Sequence, residues 1–395
     1  MEPKPLHYLT IFLTVFVDIL GFGIVIPVLP LYAEHFGASL IEIGALVAIF
    51  SLMQFLLAPF WGALSDRYGR KPVLLIGLAG TVVGYTIMGL AGSVLALFLA
   101  RALDGAAGAT IGVAQAYLAD ISPPEGRAKA MGLLGAAFGL GFVFGPALGG
   151  WATHAFHYSA PMFIAAGLAL INMVFVAVFL PESLRAEQRT ATRAKLKEVL
   201  VHVDRRPFLW SLVANFSVVV GFSILTTVLA LYLAHRFRMS PKDTGLILGG
   251  IGVIGVIIQG GLIGRLVKIF GEVAVAKSGS IVMLAGLLGL GFVQSTGLML
   301  VAAAAVGVGN SLLTPTISAL ASRAAEAEWQ GRALGLLQSA GSLARVIGPL
   351  LAGGLLAANS WIGGFSYATL PLVIAAAVLG LSFVVIRWLG GSLKN

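Results

Sequence analysis

Four ionisable residues interrupt long apolar stretches of this 395-residue chain: Asp18, Arg101, Asp104 and Arg345. A charged side chain inside a lipid bilayer costs several kcal/mol, so each of the four is a functional candidate. Asp104 follows Arg101 by three residues, which places both on one helix face and allows an ion pair. If this pair opens, desolvation favours the protonated carboxyl group, so the pair can take up and release a proton. A permanent structural ion pair is the alternative interpretation.

The other two residues lack a neighbouring charge of opposite sign in the sequence. Asp18 can carry a proton, bind a cationic substrate, or do both in competition. A purely structural bond to a neighbouring helix is the alternative. We therefore predict proton coupling by Asp18, Arg101 and Asp104. Arg345 can bind an anionic group or pair with Asp18 or Asp104, and both interpretations stay open.

Polar and aromatic residues within the apolar stretches are candidates for the lining of a substrate cavity. A single such residue is also well explained by a hydrogen bond between helices or by ordinary packing. The predicted cavity set is Asp18, Phe22, Gln54, Gln115, Phe138, Asn215, Gln259, Asn310, Gln338 and Arg345.

The elements that must position these residues follow from the composition. Hydrophobic residues make up 58% of the chain and charged residues 10%, with a mean hydropathy of +0.99. A soluble domain has roughly 25% charged residues, so most of this surface must face lipid. Twelve apolar stretches are long enough to cross a hydrocarbon core of roughly 30 Å as helices. They lie near 8–31, 41–63, 73–91, 94–119, 128–153, 160–180, 208–234, 243–266, 275–293, 296–320, 331–356 and 362–388.

The positive charges predict an orientation. Three of the 25 Lys and Arg residues fall in loops on one side (Arg236, Arg238 and Lys242), two lie within spans, and the other twenty lie on the opposite side. Cytoplasmic loops are enriched in Lys and Arg, so we predict that both termini lie in the cytoplasm. The net charge of +9 reflects this orientation rather than nucleic-acid binding, because the cations sit in short loops.

The chain also repeats itself. The segment GALSDRYGR at 62–70 matches the spacing of GRLVKIFGE at 264–272, an offset of 202 residues. The segment GPALGG at 145–150 is matched by GPLLAGG at 348–354, an offset of 203 residues. Two unrelated motifs with nearly one offset indicate a duplicated six-helix half, and such duplication places a substrate site between the halves, near the bilayer midplane.

These patterns predict an all-α integral membrane fold with twelve transmembrane helices in two pseudo-symmetric six-helix bundles. The predicted bundles are 1–180 and 208–395, joined by a basic cytoplasmic linker at 181–207. Apolar residues recur at helical spacing within the linker, which indicates either a short basic helix on the inner leaflet or a solvated connection.

One loop carries a specific motif. It reads Gly62-Ala-Leu-Ser-Asp66-Arg67-Tyr-Gly69-Arg70-Lys71-Pro72. The glycines permit a tight turn, and Asp66 can either pair with Arg70 or accept hydrogen bonds from the amino terminus of a helix. This loop resembles the signature loop of the major facilitator superfamily. The resemblance implies a conformational-switch loop formed by Gly62, Asp66, Gly69, Arg70, Asp120 and Arg127.

A glycine-rich span adds to the resemblance. Small residues four apart allow two helices to approach closely, and a proline within them permits a bend. The span is similar to the motif that marks antiporters and exporters of the superfamily, although packing of a bent helix explains it too. The motif residues are Gly141, Gly145, Pro146, Gly149 and Gly150.

The chain as a whole resembles tetracycline-efflux proteins of the twelve-span drug:proton antiporter group. The similar segments include Asp18-Ile-Leu-Gly-Phe-Gly-Ile-Val-Ile-Pro27-Val-Leu-Pro30, Tyr85-Thr-Ile-Met and Pro181-Glu182-Ser183-Leu184. The chain departs from that group at two places: the intramembrane acids of spans three and nine would fall at Gly84 and near Met283. The Gln of the family's Arg-x-x-Gln-Gly motif is replaced by Asp104.

We therefore expect a proton-coupled exporter of small amphipathic compounds that works by alternating access. The alternative is a uniporter, or a proton-coupled transporter of a sugar, metabolite or metal complex. An enzyme is not expected, because the six histidines lie at span ends and in loops without zinc spacing. No cofactor and no metal are expected, and the expected partners are the small-molecule substrate, protons and the lipid bilayer. We expect the protein to act as a monomer.

Overall fold

Long apolar helices account for nearly all of the residues that the structure describes. The computed structural model describes residues 5–108, 110–122, 127–183, 201–326, 329–361 and 366–392. Twelve helices in these ranges are long and apolar enough to cross a membrane. The predicted all-α class and the number of spans are confirmed.

The described residues of the first half form eight helices for six spans, because a short helix follows the first span and the fourth span is described as two helices. The eight helices are α1 (Pro5–Val25), α2 (Leu29–His35), α3 (Leu40–Tyr68), α4 (Arg70–Gly89), α5 (Val94–Ala107), α6 (Thr110–Ile121), α7 (Arg127–Ala155) and α8 (Ala160–Phe179). The first predicted stretch, 8–31, is therefore too long. Pro27 and Pro30 explain the break, because proline lacks the amide hydrogen that a continuing helix needs.

The second half repeats this arrangement with one π-helical turn, Ile258–Leu262, between its second and third helices. The helices are α9 (Arg205–Phe237), α10 (Pro241–Ile257), α11 (Ile263–Phe270), α12 (Glu272–Phe292), α13 (Thr296–Arg323), α14 (Gln330–Trp361) and α15 (Thr369–Ser392). Such turns widen a helix locally and are frequent at functional positions.

Helix packing follows the internal repeat. In the first half α1 packs on α7 and α8, and α4 packs on α5 and α8. In the second half α9 packs on α14 and α15, and α12 packs on α13 and α15. The corresponding helices of each half therefore contact the same neighbours.

Two local details recur at nearly the offset seen in the sequence. Gly69 and Gly271 both precede a helix with a positive φ, +108° and +79°, a conformation that glycine adopts without strain. The hydroxyl of Tyr32 donates a hydrogen bond to the carbonyl of Ala91 at 3.2 Å. The hydroxyl of Tyr232 donates to the carbonyl of Leu290 at 2.7 Å. These paired contacts support a duplicated half.

The chain forms two compact units. The first comprises Met1–Ser39, Ile49–Thr192 and Met239–Gly249. The second comprises Leu40–Ala48, Arg193–Arg238 and Gly250–Asn395. Each unit thus takes the beginning of one span, that of α3 or that of α10, from the opposite half of the sequence.

Candidate functional site

The centre of the candidate site is a buried ion pair on α5. The Arg101 Nη1 atom donates to Asp104 Oδ2 at 3.1 Å, and both residues are almost fully buried, at 2% and 3% exposure. The Thr81 side chain on α4 also hydrogen-bonds to Asp104. The Nε atom of Arg101 is buried without a hydrogen-bond partner, so the pair leaves part of the guanidinium group unsatisfied.

An aromatic cluster lies beside this pair. The Arg101 guanidinium group lies 4.3 Å from the centre of the Phe50 ring, a cation–π contact. The centroids of the Phe50 and Phe22 rings lie 5.4 Å apart. The centroids of the Phe22 and Phe142 rings lie 6.3 Å apart in an edge-on arrangement. The sequence analysis named Phe22 and missed Phe50, whose position four residues before Gln54 gave no chemical signal.

Asp18 belongs to the same electrostatic neighbourhood. It lies on α1 and interacts electrostatically with Asp104 on α5. The buried Tyr85 on α4 interacts with both carboxyl groups and with Arg101. Its hydroxyl lies 2.9 Å from the point where a Cβ atom on Gly21 would sit, one helical turn from Asp18. The structure therefore brings the three predicted coupling residues together and adds Tyr85, which the sequence analysis had noted only as part of a resemblance.

The two missing family acids have different surroundings. A Cβ atom on Gly84 would lie 3.0 Å from the Cβ of Asp104. Asp104 therefore borders the space that an acid at position 84 would need. Met283 is fully buried, and a Cβ atom on Gly309 of α13 would lie 2.5 Å from its Cβ. Position 283 is thus part of close helix packing, and no acid replaces it there among the described residues.

The predicted switch loop forms a compact charged cluster. Arg70 binds Asp66 through Nη1 at 2.6 Å and Asp120 through Nε at 3.0 Å. The Ser65 hydroxyl accepts a second bond from Arg70 Nη1 at 2.7 Å and donates to the Gly62 carbonyl at 2.9 Å. Arg70 is 7% exposed, so these bonds hold one buried cation between two helices. The Arg127 side chain lies outside the described residues.

A residue that the sequence analysis did not assign to the loop completes this cluster. Glu182 accepts hydrogen bonds from the backbone amides of Arg70 at 2.8 Å and Lys71 at 3.1 Å. Its carboxyl group thus caps the first turn of α4 from 112 residues away in sequence. The next residue, Ser183, donates to Asp120 Oδ2 at 3.0 Å. The Pro-Glu-Ser segment was recognised by resemblance, but its spacing alone did not reveal this contact.

The glycines of α7 make close backbone contacts. A Cβ atom on Gly145 would lie 2.7 Å from the Leu20 carbonyl oxygen and 2.8 Å from Gly23 Cα. The other motif glycines have equally close neighbours: Gly141 meets Ile19, Gly149 meets Ile24, and Gly150 meets Pro241 at the start of α10. The Pro146 ring lies against Gly23. The motif therefore lets α7 contact α1 backbone to backbone, beside Asp18.

The remaining predicted cavity residues of the first unit are dispersed. Gln54 donates to the Gly108 carbonyl at 3.1 Å, a bond between α3 and the end of α5. Phe138 packs against an apolar core cluster that includes Tyr117. Gln115 is exposed on α6. Of these three, Gln54 lies nearest to the ion-pair helix.

The second unit holds the other predicted cavity residues. Asn215 on α9 donates to the Leu337 carbonyl on α14 at 3.0 Å. Arg345 on α14 donates to the Ser342 hydroxyl at 2.9 Å. Gln259 and Gln338 are exposed, and Asn310 is half-buried. Asn215 and Arg345 thus lie on helices that pack together, whereas Gln259 lies on the π-helical turn.

Comparison with known proteins is consistent with this geometry. The family model described as Major Facilitator Superfamily matches residues 11–287 and 260–389. Multidrug resistance protein 1 of Bacillus subtilis (strain 168) is 32% identical over 384 residues, 96% of each chain. The class B tetracycline resistance protein of Escherichia coli is 32% identical over 342 residues, 85% of this chain and 84% of that protein.

Solved structures give the same fold. The crystal structure of the human organic anion transporter MFSD10 (TETRAN) has a TM-score of 0.72 and 24% sequence identity. The match covers 98% of this chain and all of that one. At this identity the likeness establishes the fold alone.

The described residues include twelve helices long and apolar enough to cross a membrane, and the family match and the relatives identify the chain as a polytopic membrane transporter and not an enzyme. The chain belongs to the Major Facilitator Superfamily.

Proposed function

We propose that this protein is a proton-coupled exporter of small amphipathic compounds, and that Asp18 and Asp104 carry the coupled protons. The observation that carries the proposal is the convergence of Asp18, Tyr85, Arg101 and Asp104 within one unit. Burial of two carboxyl groups beside one guanidinium group leaves one negative charge without a partner. Protonation of one carboxyl group removes that imbalance at little cost in a low-dielectric site.

The ion pair gives the site two states. With the pair closed, Arg101 satisfies Asp104 and the carboxylate stays ionised. With the pair open, the carboxyl group is desolvated and favours the proton. The unpaired Nε atom of Arg101 is available for a further acceptor in the second state. Exchange between these states can link proton uptake to movement of the helices that carry Asp18 and Asp104.

The names of two relatives support small amphipathic compounds as the substrate class. Proteins for multidrug resistance in Bacillus subtilis and for tetracycline resistance in Escherichia coli are 32% identical to this chain. The aromatic cluster of Phe22, Phe50 and Phe142 supplies an apolar surface next to the charged groups. Such a surface suits compounds that combine an apolar body with a polar group.

The driving force is sufficient for efflux. One proton that moves down a membrane potential of about 100 mV releases roughly 2.3 kcal/mol. A pH difference of one unit adds roughly 1.4 kcal/mol. We propose a bacterial inner-membrane location with both termini in the cytoplasm, and we propose that a monomer suffices. We also propose that the basic segment 181–207 links the bundles 1–180 and 208–395.

Proton release from everted vesicles tests this function. Vesicles that contain the full chain are acidified inside, and a pH-sensitive dye reports proton efflux when tetracycline, norfloxacin or ethidium is added. We expect at least one compound to release protons in the wild type. Asp104→Asn and Asp18→Asn should each lower that release at least tenfold, since each removes one carboxyl group from the site.

Asp243→Asn is the matched control, because Asp243 lies in the first turn of α10 and bonds to Ser240. It should release protons as the wild type does. Compound uptake that a protonophore leaves unchanged in the wild type would instead support a uniporter.

A further inference from the structure

Arg345 is a cation in the middle of a spanning helix. It lies on α14, with 15 residues of that helix before it and 16 after it. Its Nη2 atom donates to the Ser342 hydroxyl at 2.9 Å, and that hydroxyl donates to the Gln338 carbonyl at 3.0 Å. Among the described residues no carboxylate pairs with Arg345. This arrangement differs from that of Arg101, which has Asp104 as a partner.

No acid among the described residues of the second unit lies in the interior of a span. Its described acidic residues all lie at helix ends: Glu42, Asp204, Glu272 and Glu326. An intramembrane cation without a counter-ion is costly, and such residues bind partners or mark substrate pathways. The charge of Arg345 is therefore available to an anion that comes from outside the unit's own side chains.

Close packing of α9 and α14 shapes the space around this guanidinium group. A Cβ atom on Gly348 would lie 2.6 Å from the Cβ of Ser223, so the helices touch there. One turn before Arg345, a Cβ atom on Gly341 would lie 3.3 Å from Asn215 Nδ2 and 3.7 Å from Arg345 Nη1. The Asn215 amide and the Arg345 guanidinium group therefore both lie within 4 Å of one point beside Gly341, and the Cγ2 atom of Val219 lies 3.8 Å from that point.

The free N–H groups of Arg345 and Asn215 are hydrogen-bond donors, so they can bind an anion but not a cation. The guanidinium group has five N–H donors, and one is engaged by Ser342. The Asn215 amide has two N–H donors, and one is engaged by the Leu337 carbonyl at 3.0 Å. A carboxylate can accept two parallel bonds from a guanidinium group, which makes this pairing strong in an apolar setting.

We propose that Arg345, with Asn215 beside it, forms an anion subsite for the transported compound, so that preferred substrates carry a carboxylate or a similar compact anionic group on an apolar body. This inference rests on the proposed transport function and specifies its substrate class. The subsite lies wholly within the second unit, on α9 and α14. Ser342 positions the guanidinium group and is not itself a donor to the anion, because its hydrogen is engaged by Gln338.

A matched pair of probes tests the subsite. Dansyl-glycine is an amphipathic fluorescent carboxylate, and its amide has nearly the same shape without the charge. Binding of both is measured by fluorescence to the full chain in lipid nanodiscs. We expect the wild type to bind the acid at least tenfold more tightly than the amide, which corresponds to about 1.4 kcal/mol. Arg345→Gln should abolish this preference, and Arg345→Lys should retain a part of it.

Arg332→Gln is the matched control, because Arg332 lies on the same helix and stacks on Trp329 at 4.3 Å. It should leave the preference for the acid unchanged. Unaltered binding of the amide to Arg345→Gln shows that the variant is folded. Equal preference for the acid in the wild type and in Arg345→Gln would overturn the proposal, as would a wild type that does not distinguish acid from amide.

A lipid phosphate offers the same chemistry as a substrate carboxylate. The measurement is therefore made in discs of phosphatidylcholine and in discs that contain phosphatidylglycerol. Acid preference in both supports a substrate subsite, and its loss in the anionic discs assigns Arg345 to a headgroup instead. The vesicle assay tests the transport function separately. If that function is wrong, no compound releases protons from the vesicles, whatever the binding measurements on Arg345 show.

Discussion

Gly84 of α4 faces Asp104 of α5 so closely that a Cβ atom built on Gly84 would lie 3.0 Å from the Cβ of Asp104. The resemblance noted in the sequence implies an acid at the position of Gly84. In this chain Asp104, on the neighbouring helix, borders that position instead. The absence of a side chain at Gly84 leaves the room that Asp104 needs.

The first prediction is that a carboxyl group at position 84 can replace the carboxyl group of Asp104. Asp104→Gly should lower compound-dependent proton release at least tenfold, because the buried carboxyl group is lost. In the double variant Gly84→Asp/Asp104→Gly, release should recover to within a few-fold of the wild type, since the new carboxyl group enters the vacated space. Everted vesicles loaded with a pH-sensitive dye provide the measurement.

Placement of an acid elsewhere on α4 is the control for this exchange. Thr86 lies on another face of the helix, and its hydroxyl bonds to the Val82 carbonyl. The double variant Thr86→Asp/Asp104→Gly should therefore not recover. Equal recovery in both double variants would mean that the position of the carboxyl group is unimportant, contrary to the geometry.

Removal of one hydroxyl at Tyr85 is the second prediction. Tyr85→Phe keeps the ring that packs against Gly21 and removes the polar group that interacts with Asp18 and Asp104. Coupled transport should fall several-fold, and its dependence on pH should change, while the melting temperature stays close to that of the wild type. The pH profile distinguishes this effect from simple loss of packing.

Tyr232→Phe provides a comparison in the second unit. The Tyr232 hydroxyl is buried and donates to the Leu290 carbonyl, so its loss should cost about 1 kcal/mol of stability. Arg236 is the charged group that interacts with Tyr232, and no acid among the described residues does so, so the pH profile should be that of the wild type. If Tyr85→Phe and Tyr232→Phe shift the pH profile of transport equally, Tyr85 has no specific role in coupling.

The sequence predicted the number of spans, and it singled out Asp18, Arg101 and Asp104, because both depend on local composition. The structure brings these three residues together, and their part in coupling stays a proposal. Twelve apolar stretches reveal spans by length alone, and an acid within such a stretch is conspicuous. Phe50 and Tyr85 were missed as site residues because aromatic side chains in a membrane helix are usually packing. Their role depends on which helix faces which, and periodicity does not encode that information.

The charged loop shows the same limit. The sequence allowed Asp66 either to pair with Arg70 or to accept hydrogen bonds from the amino terminus of a helix, and the structure has the pair with Arg70 at 2.6 Å. The contact of Glu182 with the start of α4 spans 112 residues and could not be read from spacing. Long-range hydrogen bonds of this kind require the tertiary fold before they can be recognised.

Loss of the cap formed by Glu182 is the third prediction. Glu182→Ala removes an acceptor from the amides of Arg70 and Lys71, so the free energy of unfolding should fall by about 1 kcal/mol. Transport should fall with it, because Arg70 is the cation of the charged cluster. Glu182→Gln should have a smaller effect, since its amide oxygen can still accept one bond. Thermal unfolding in detergent measures the stability.

Glu272→Ala is the matched control for the cap. Glu272 begins α12 at the equivalent place in the second half, and its partner Arg323 is largely exposed. The Arg323 side chain is 71% exposed and the Glu272 side chain 10%, so solvent reaches one side of the pair and screens it. Loss of this pair should therefore cost less stability than loss of two hydrogen bonds to backbone amides. A larger loss for Glu272→Ala than for Glu182→Ala would contradict the assignment of the cap.

The fourth prediction is that a single methyl group added at Gly145 lowers both transport and stability. Gly145→Ala would place a Cβ atom 2.7 Å from the Leu20 carbonyl oxygen and 2.8 Å from Gly23 Cα, both of them backbone atoms. Neither neighbour can rotate away, so α7 must separate from α1 near Asp18.

Gly135→Ala on the same helix is the matched control. A Cβ atom there meets no atom within 4 Å, so the substitution should be tolerated, with a gain of up to about 1 kcal/mol from helix propensity. Transport and melting temperature should therefore fall together in the first variant and stay unchanged or rise in the second. Since the two substitutions have the same chemistry, only the contact with α1 can separate their effects, and similar behaviour of the two would show that this contact does not constrain the transporter.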